Sequence, residues 1–293
     1  MGAPAILLSF ATIFGCIAVA CVAVAFATDC WVEYDVNRQQ ILEVLRRDQL
    51  PGQDNRDDIN KEMNRTSVWF DRTVGLWRQC YPSEIPYGME VYLSPTDTSC
   101  TNIEYPKGED PNWDPYQRAR FYLMRTILAL FVAGFAMEML SFFIGVFGCW
   151  RRSAALLIST GTFMLLAWLL HAGALAVWHG VDYIETKKLG MRPYELSWPQ
   201  VLRDNTTRHY SWSFMLAWIG CGFALLSAIF LYAGAGTLRA ERRKEAARAT
   251  QYVMPVYGGY GNGDKHPPYF AHAYSAPGVA GPYYYYNTNT YKY

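Results

Sequence analysis

The sequence lacks net charge, and it lacks the residue patterns of the common enzyme sites. Its formal net charge is +1, whereas nucleic-acid-binding proteins have a strong surplus of basic residues. It has no glycine-rich phosphate loop between a strand and a helix, no catalytic Ser/His/Asp or Cys/His set, and no His/Cys cluster at metal-ligand spacing. These absences favour a protein that is not an enzyme and that binds no cofactor, metal or nucleic acid.

Long apolar runs, by contrast, fill much of the chain. A helix needs roughly 20 apolar residues to cross the hydrocarbon core of a lipid bilayer, and four runs are long enough. Only Glu138 and His171 place an ionisable group in them. Helices in the core of soluble proteins rarely stay apolar on every side over such a length. We therefore predict membrane spans at about residues 5–27, 127–147, 154–177 and 214–238.

The first run could instead be a signal peptide, since it begins near the amino terminus. It has no basic residues before it, and it is longer than the apolar part of most signal peptides, which spans about 7–15 residues. Four spans also pair naturally into a bundle. We therefore interpret this run as a retained membrane helix.

The basic residues beside the spans predict the orientation in the membrane. Arg151 and Arg152 form the turn between the second and third spans, and a basic run, LRAERRK, follows the fourth span. Both termini should therefore be cytoplasmic, with loops at about 28–120 and 179–210 on the outside of the plasma membrane. The N-glycosylation sequons at Asn64 and Asn205 fall one in each outer loop, in agreement with this orientation.

The first outer loop has two parts. The run QQILEVLRRD places Ile41, Leu42 and Leu45 on one helical face, which predicts a short surface helix or, alternatively, a partner-binding helix. From Ser67 onward, short aromatic and β-branched runs alternate with turn residues and predict strands. The predicted fold is an α-helical membrane protein, a four-helix transmembrane bundle with a small extracellular antiparallel β-sheet in the first outer loop.

The seven cysteines sort by compartment. Cys80 and Cys100 are the two in the strand-rich part of the outer loop, where the environment is oxidising, so we predict a disulfide between them. Cys30, at the outer membrane edge, has no obvious mate. The other four lie in or at the end of the spans, where a thiol behaves as a small apolar group: Cys16, Cys21, Cys149 and Cys221.

Residues 250–293 differ in composition from the four-span domain at 1–249. They are rich in Gly, Pro, Asn and Tyr without periodicity, which predicts a disordered cytoplasmic tail. The tail is available for tyrosine phosphorylation or for adaptor proteins, or it is a simple tether. Its last residues, Tyr291 and Tyr293, fit a hydrophobic-x-hydrophobic ligand for a PDZ domain.

Glu138 lies near the middle of the second span, where a carboxyl group is costly and suggests a function. Counted from the cytoplasmic ends, Thr162 and Ser227 fall near its depth, whereas His171 lies roughly one and a half turns further out. We expect a protonated Glu138 that is hydrogen-bonded inside the bundle. A proton or ion pathway is the alternative.

One set of residues resembles the signature of the claudin superfamily, which comprises claudins, peripheral-myelin-type proteins, and calcium-channel gamma subunits with their stargazin-like relatives. The set consists of Trp31 after the first span, then Gly75, Leu76 and Trp77, then Cys80 and Cys100. The resemblance covers about residues 5–249. It implies the four-span fold, with the signature residues holding the outer sheet on the helices.

The start of the fourth span narrows the resemblance to gamma-subunit and stargazin-like proteins. Tyr210, Trp212 and Phe214, in the run YSWSF, look like the start of the fourth helix in those proteins. This resemblance implies an auxiliary subunit that binds an ion channel or neurotransmitter receptor and alters its trafficking and gating, for example at synapses. The alternatives are a claudin-like protein of cell junctions and an adhesion or scaffolding protein that acts through its tail.

Overall fold

The computed structural model describes residues 3–47, 55–93, 98–105, 108 and 110–253. The helices in these residues are α1 (Ala3–Ala27), α2 (Arg38–Arg47), α3 (Arg56–Glu62), α4 (Pro115–Trp150), α5 (Ala154–Lys187), α6 (Gln200–Asp204) and α7 (Trp212–Val253). The strands are β1 (Val32–Val36), β2 (Arg72–Val74), β3 (Arg78–Tyr81), β4 (Tyr92–Leu93), β5 (Ser99–Asn102) and β6 (Thr206–Tyr210). Short 3-10 helices occupy Ser67–Trp69 and Glu195–Ser197.

Helices α1, α4, α5 and α7 are long and apolar enough to cross a membrane. They confirm the predicted helical membrane protein with four spans. Helices α4 and α5 contain 36 and 34 residues, so at about 1.5 Å per residue both are longer than the roughly 30 Å of a hydrocarbon core. Their excess length lies where the sequence predicted outer loop.

Local sequence explains why α4 begins before the apolar span. Asp114 and Gln117 form a capping box: the Asp114 side chain accepts from the backbone N–H of Gln117, and the Gln117 side chain accepts from the backbone N–H of Asp114. Pro115 occupies the first helical position. Outside the predicted spans, Arg120 of α4 donates to Glu185 of α5 at 2.5 Å. The two helices therefore stay paired beyond the predicted spans.

The antiparallel sheet has the strand order β4-β5-β3-β2-β1-β6. Strand β1 follows α1 directly and pairs with β6, which leads directly into α7, with Val32 opposite Tyr210. The predicted antiparallel sheet is confirmed, and it is larger than predicted because β6 comes from the second outer loop. Strand β6 was not predicted, because TTRHY is short and largely polar.

The sheet and helices α2, α3 and α6 form a layer that we call the cap. Its core contains buried residues from both loops: Val36, Ile41, Leu45, Ile59, Met63, Val68, Trp69, Phe70, Tyr81, Trp198, Val201 and Leu202. Strand β1 leads away from the bundle, since Val32 belongs to the bundle core and Val36 to the cap core. Helix α2 therefore begins just beyond the end of β1 that belongs to the cap core.

Small residues let α1 and α7 approach closely. A Cβ atom at Gly220 would lie 2.7 Å from Cγ2 of Val22 and 3.1 Å from the carbonyl oxygen of Ala18. The side chain of Ser227 donates to the carbonyl oxygen of Ala11 at 2.8 Å. Packing of this kind holds helices together in lipid, where the hydrophobic effect does not.

The chain divides into two compact units, residues 1–242 and 243–293. The described part of the second unit, residues 243–253, is helical and forms the end of α7. The helix thus includes residues 250–253 of the predicted tail. Residues 254–293, with the proposed PDZ ligand at Tyr291 and Tyr293, lie outside the described residues.

Candidate functional site at the junction of cap and bundle

The carboxyl end of α1 is capped by side chains of the cap. The last carbonyl groups of a helix have no partner within the helix and need one elsewhere. Nε1 of Trp31 donates to Ala25 O and Nε1 of Trp77 donates to Phe26 O, each at 2.8 Å. Two tryptophans of the signature therefore satisfy successive orphan carbonyls.

Trp31 is fully buried and joins the four spans at their cap end. Besides its bond to α1, its ring lies 5.8 Å from that of Phe131 in α4, 4.9 Å from that of Trp178 in α5 and 5.7 Å from that of Phe214 in α7. Contact with one residue from each span makes this side chain the centre of the junction. Its size and its single N–H donor suit it to that position.

The turn between β2 and β3 requires glycine at position 75. A Cβ atom there would lie 2.5 Å from Cα of Asp29, a distance that real Cβ contacts do not reach. The following Leu76 is fully buried in the bundle core. The hydroxyl of Tyr105 donates to Leu76 O at 2.5 Å, and burial raises the pKa of Tyr105, which keeps this donor protonated.

An ion pair flanks this turn. Arg78 approaches the carboxylate of Asp29 at 2.7 Å, and it also donates to Ala27 O at 3.4 Å. Burial raises the pKa of the Asp29 carboxyl, and the Arg78 guanidinium counters that shift. The pair fixes β3 against the end of α1, a role that the sequence reasoning missed because both residues resemble ordinary surface charges.

The disulfide joins β3 to β5. Cys80 and Cys100 are bonded to each other and stand directly opposite in the register of the two strands. Cys16, Cys21, Cys30, Cys149 and Cys221 are free. The cross-link therefore supports the half of the sheet that has no direct chain connection to α1 or α7.

Arg72 is a buried cation inside the cap, and nothing in the sequence reasoning pointed to it. It is 5% exposed, and it donates to the carbonyl oxygens of Ser67, Val68 and Phe70. Its guanidinium also stacks on the rings of Tyr34 and Trp198, at 4.1 and 5.3 Å. Burial lowers the pKa of this guanidinium, while its carbonyl and ring partners stabilise the charge.

The run YSWSF connects β6 to α7. The rings of Tyr210 and Phe214 stack at 4.4 Å, and the Tyr210 hydroxyl donates to Asp182 of α5 at 2.9 Å. Arg208 forms an ion pair with the same Asp182. Trp212 differs from its neighbours, since it is 51% exposed at the cap end of the bundle. Tyr210 and Phe214 therefore make structural contacts, whereas the ring of Trp212 is half-exposed.

Glu138 lies beside His171, and not beside the residues that we expected. Oε1 of Glu138 is 3.5 Å from Nε2 of His171, and both side chains are buried. Thr162 and Ser227, which we expected near the depth of Glu138, donate to the backbone carbonyl oxygens of Ile158 and Ala11. The prediction that Glu138 is hydrogen-bonded inside the bundle is wrong for the described residues. In the described part of the chain, neither Glu138 nor His171 makes a hydrogen bond through its side chain.

Helix direction explains the new pairing. Side chains lean toward the amino terminus of their helix, and α4 and α5 run in opposite directions. Glu138 therefore leans toward the cap and His171 leans away from it, which closes the predicted separation of one and a half turns. Gly134 makes room for the ring, since a Cβ atom there would lie 2.5 Å from Cε1 of His171.

The two sequons differ in their surroundings. Asn64 is exposed in the cap, and Asn205 is half-buried between α6 and β6.

Within the described residues, no group of three or more His, Cys, Asp or Glu side chains is placed to hold a metal ion. The contacts described at the junction are packing contacts, hydrogen bonds and an ion pair between the cap and the bundle.

Comparison with protein families agrees with this architecture. The family model described as "PMP-22/EMP/MP20/Claudin tight junction" matches residues 16–233. The match runs from within α1 to within α7, so it includes parts of the first and fourth spans, all of α4 and α5, both outer loops, and the junction residues Trp31, Leu76 and Trp77. The protein belongs to the PMP-22/EMP/MP20/claudin family.

Proposed function

We propose that this protein is a non-enzymatic auxiliary subunit that binds an ion channel or neurotransmitter receptor in the same membrane and modulates its trafficking and gating. The family establishes a claudin-like multi-pass membrane protein. Two features support a partner in the same membrane: the run YSWSF resembles gamma-subunit and stargazin-like proteins, and edge strand β4 of the cap exposes apolar side chains.

The proposed orientation places the cap outside the cell and both termini in the cytoplasm. Arg151 and Arg152 form the turn between α4 and α5, at the end of the bundle away from the cap. Basic residues beside spans are concentrated on the cytoplasmic side of membrane proteins. The cap, with Asn64 and Asn205, would then face the extracellular space of the plasma membrane.

One observation carries the proposal: edge strand β4 of the cap exposes apolar side chains, whereas the exposed side chains of helices α2 and α3 are mostly charged. Edge strand β4 exposes Tyr92 and Leu93, the latter by 68%. Helices α2 and α3 instead expose charged side chains: Glu43, Arg46, Arg47, Arg56, Asp57, Asp58 and Lys61. A partner that buries apolar surface would therefore approach from the side, within the same membrane.

Trp212 follows β6, at the opposite edge of the sheet from β4, and supplies a second exposed apolar side chain. It is half-exposed at the cap end of α7, at the depth where tryptophan is favoured at a membrane interface. Tryptophan is also enriched among the residues that contribute most to protein interfaces. We therefore assign Trp212 and Leu93 as contact residues for the channel or receptor.

Affinity purification of the tagged full-length protein in mild detergent tests the proposal. We expect channel or receptor subunits to be co-isolated, and Leu93→Ser combined with Trp212→Ala to reduce their recovery at equal surface level. The matched control is Glu43→Gln at an exposed charged position of α2, which should leave recovery unchanged. Recovery of junctional proteins, or of adaptors that require the tail at Tyr291 and Tyr293, would replace the proposed function with one of the alternatives.

The junction alternative has its own measurement. An acidic outer loop lining a paracellular pore would favour cations, so expression in a junction-deficient epithelial layer would change its ion permeability. We expect the permeability to stay unchanged. A cation-selective increase would contradict the auxiliary-subunit proposal.

A further inference from the structure

Asn64 stands at the rim of an open groove of about 720 Å³ in the surface of the cap. The groove is lined by polar and charged side chains together with exposed Ile85 and Tyr87. An N-linked glycan is a bulky polar group that is attached to the side-chain nitrogen of the asparagine. A sequon at the edge of a groove therefore raises the question of where its first sugars would lie.

The side chain of Asn64 is held in one orientation. Its Oδ1 accepts a hydrogen bond from Nη2 of Arg38 at 2.9 Å. Arg38 is itself fixed, because it pairs with Glu84 at 2.6 Å and stacks over the ring of Phe70 at 4.2 Å. Among the described residues, the Nδ2 atom of Asn64 has no hydrogen-bond partner, so the atom that would carry the glycan is the one left available.

Tyr87 supplies a surface for a sugar ring. Its backbone N–H donates to Asn64 O at 2.8 Å, which fixes the tyrosine next to the sequon. Its side chain is 80% exposed, unusual for so large an apolar ring in a folded layer. The apolar face of a pyranose ring can stack on such an aromatic ring, while Lys61 and Arg65 in the groove can donate hydrogen bonds to its oxygens.

The second sequon has none of these features. Asn205 is half-buried, and its Nδ2 donates to Val201 O at 2.8 Å, where it helps to close the end of α6. Thr207 of the same sequon lies in β6, paired with Asp35 of β1. A glycan on Asn205 would have to displace this packing.

We propose that Asn64 carries an N-linked glycan whose first N-acetylglucosamine residues lie in this groove, stacked on Tyr87, and that Asn205 stays unmodified in the folded protein. The proposal rests on the extracellular orientation of the cap, and it does not depend on which partner the protein binds. The groove is then an internal binding site for the protein's own glycan.

Thr66 allows a matched test of the modification. Its side chain makes no capping hydrogen bond, so Thr66→Ser, which keeps the sequon, and Thr66→Ala, which removes it, should fold alike. We expect peptide N-glycosidase F to shift the electrophoretic mobility of denatured wild-type and Thr66→Ser proteins from animal cells. Thr66→Ala should lose the shift, and Thr207→Ala should keep it. A shift that persists in Thr66→Ala would overturn the assignment to Asn64.

The second step tests the groove. A glycan that is stacked on Tyr87 is shielded, so the same enzyme should release it slowly from the native protein and about fivefold faster from Tyr87→Ala. Tyr183→Ala, which removes an exposed tyrosine that does not line the groove, is the control and should match wild type. Equal release rates for wild type and Tyr87→Ala would overturn the groove as the glycan's site, even with Asn64 modified.

Discussion

The cap and the bundle belong to one chain, and different contacts stabilise them. The cap combines a disulfide, ion pairs and the buried cation of Arg72 with an aromatic core. The bundle relies on close packing of small residues, as at Gly220, and it buries the ionisable pair Glu138 and His171. The difference follows from the surrounding medium. In water, charged groups and a disulfide can stabilise a layer, whereas in lipid the helices are stabilised by close packing and by backbone groups that are all hydrogen-bonded.

The family signature stands at the boundary between these two regions. The signature residues hydrogen-bond to the end of α1 and pack the sheet against the helices: Trp31, Gly75, Leu76 and Trp77. They belong to the architecture, and the surfaces proposed for partners and for the glycan lie elsewhere. Substitutions at the boundary should therefore damage both regions, and substitutions within one region should damage that region alone.

We expect the largest effect from Trp31→Ala. Truncating a fully buried aromatic side chain costs about 3–5 kcal/mol, and this one contacts all four spans. The protein should be retained inside the cell, with a much lower thermal unfolding temperature in detergent. Trp150→Ala, at a tryptophan that is 81% exposed, is the control and should be close to wild type. Normal surface level for Trp31→Ala would contradict the role assigned to the junction.

Cys80→Ser should damage the cap and spare the bundle. Loss of a disulfide that closes a loop of about 20 residues removes roughly 3 kcal/mol. Limited proteolysis should then cleave the cap quickly, while far-ultraviolet circular dichroism retains the signal of the long helices. Cys30→Ser, at a free cysteine, should resist the protease as wild type does. Loss of the helical signal together with the cap would show that the regions fold as one unit.

Gly134→Ala should damage the bundle and spare the cap. The added methyl group collides with the ring of His171, and overpacking of this kind costs about 1–3 kcal/mol. Thermal unfolding in detergent should detect the loss, while the cap keeps its protease resistance. Gly222→Ala is the control, because a Cβ atom there has no neighbour within 4 Å. An unchanged unfolding temperature for Gly134→Ala would mean that α4 and α5 adjust freely.

Glu138→Gln should have the smallest effect. An amide can still pair with His171, and polar contacts between membrane helices contribute about 0.6 kcal/mol on average. Unfolding temperature and surface level should both stay close to wild type. If channel modulation fell while surface level held, Glu138 would have a function beyond packing.

The spans were the part of the molecule most easily predicted from sequence, because lipid imposes length and hydropathy directly. Glu138 and His171 could each be identified as costly polar groups, but their pairing depended on the opposite directions of α4 and α5. The periodicity of QQILEVLRRD likewise indicated α2, in which Ile41 and Leu45 are buried.

The cap was predicted less completely, since its structure depends on contacts between distant segments. Strand β6 joins the sheet because it leads into α7 beside the start of β1, and its five residues carry little apolar signal of their own. Arg72 looks like a surface residue until Tyr34 and Trp198 enclose it from two other segments. A local pattern cannot indicate partners that lie 126 positions away, as Trp198 does from Arg72, or 178 positions away, as Tyr210 does from Val32.

The most direct test of the central claim, that the partner lies in the same membrane, is a cell-mixing measurement. Cells that express the protein with a green tag are mixed with cells that express it with a red tag, and fluorescence is compared between contacting and free membrane. We predict equal intensity at contacts and elsewhere, with channel or receptor subunits co-isolated from either population cultured alone. Strong co-enrichment of both colours at the contacts would contradict the account and indicate a junction protein.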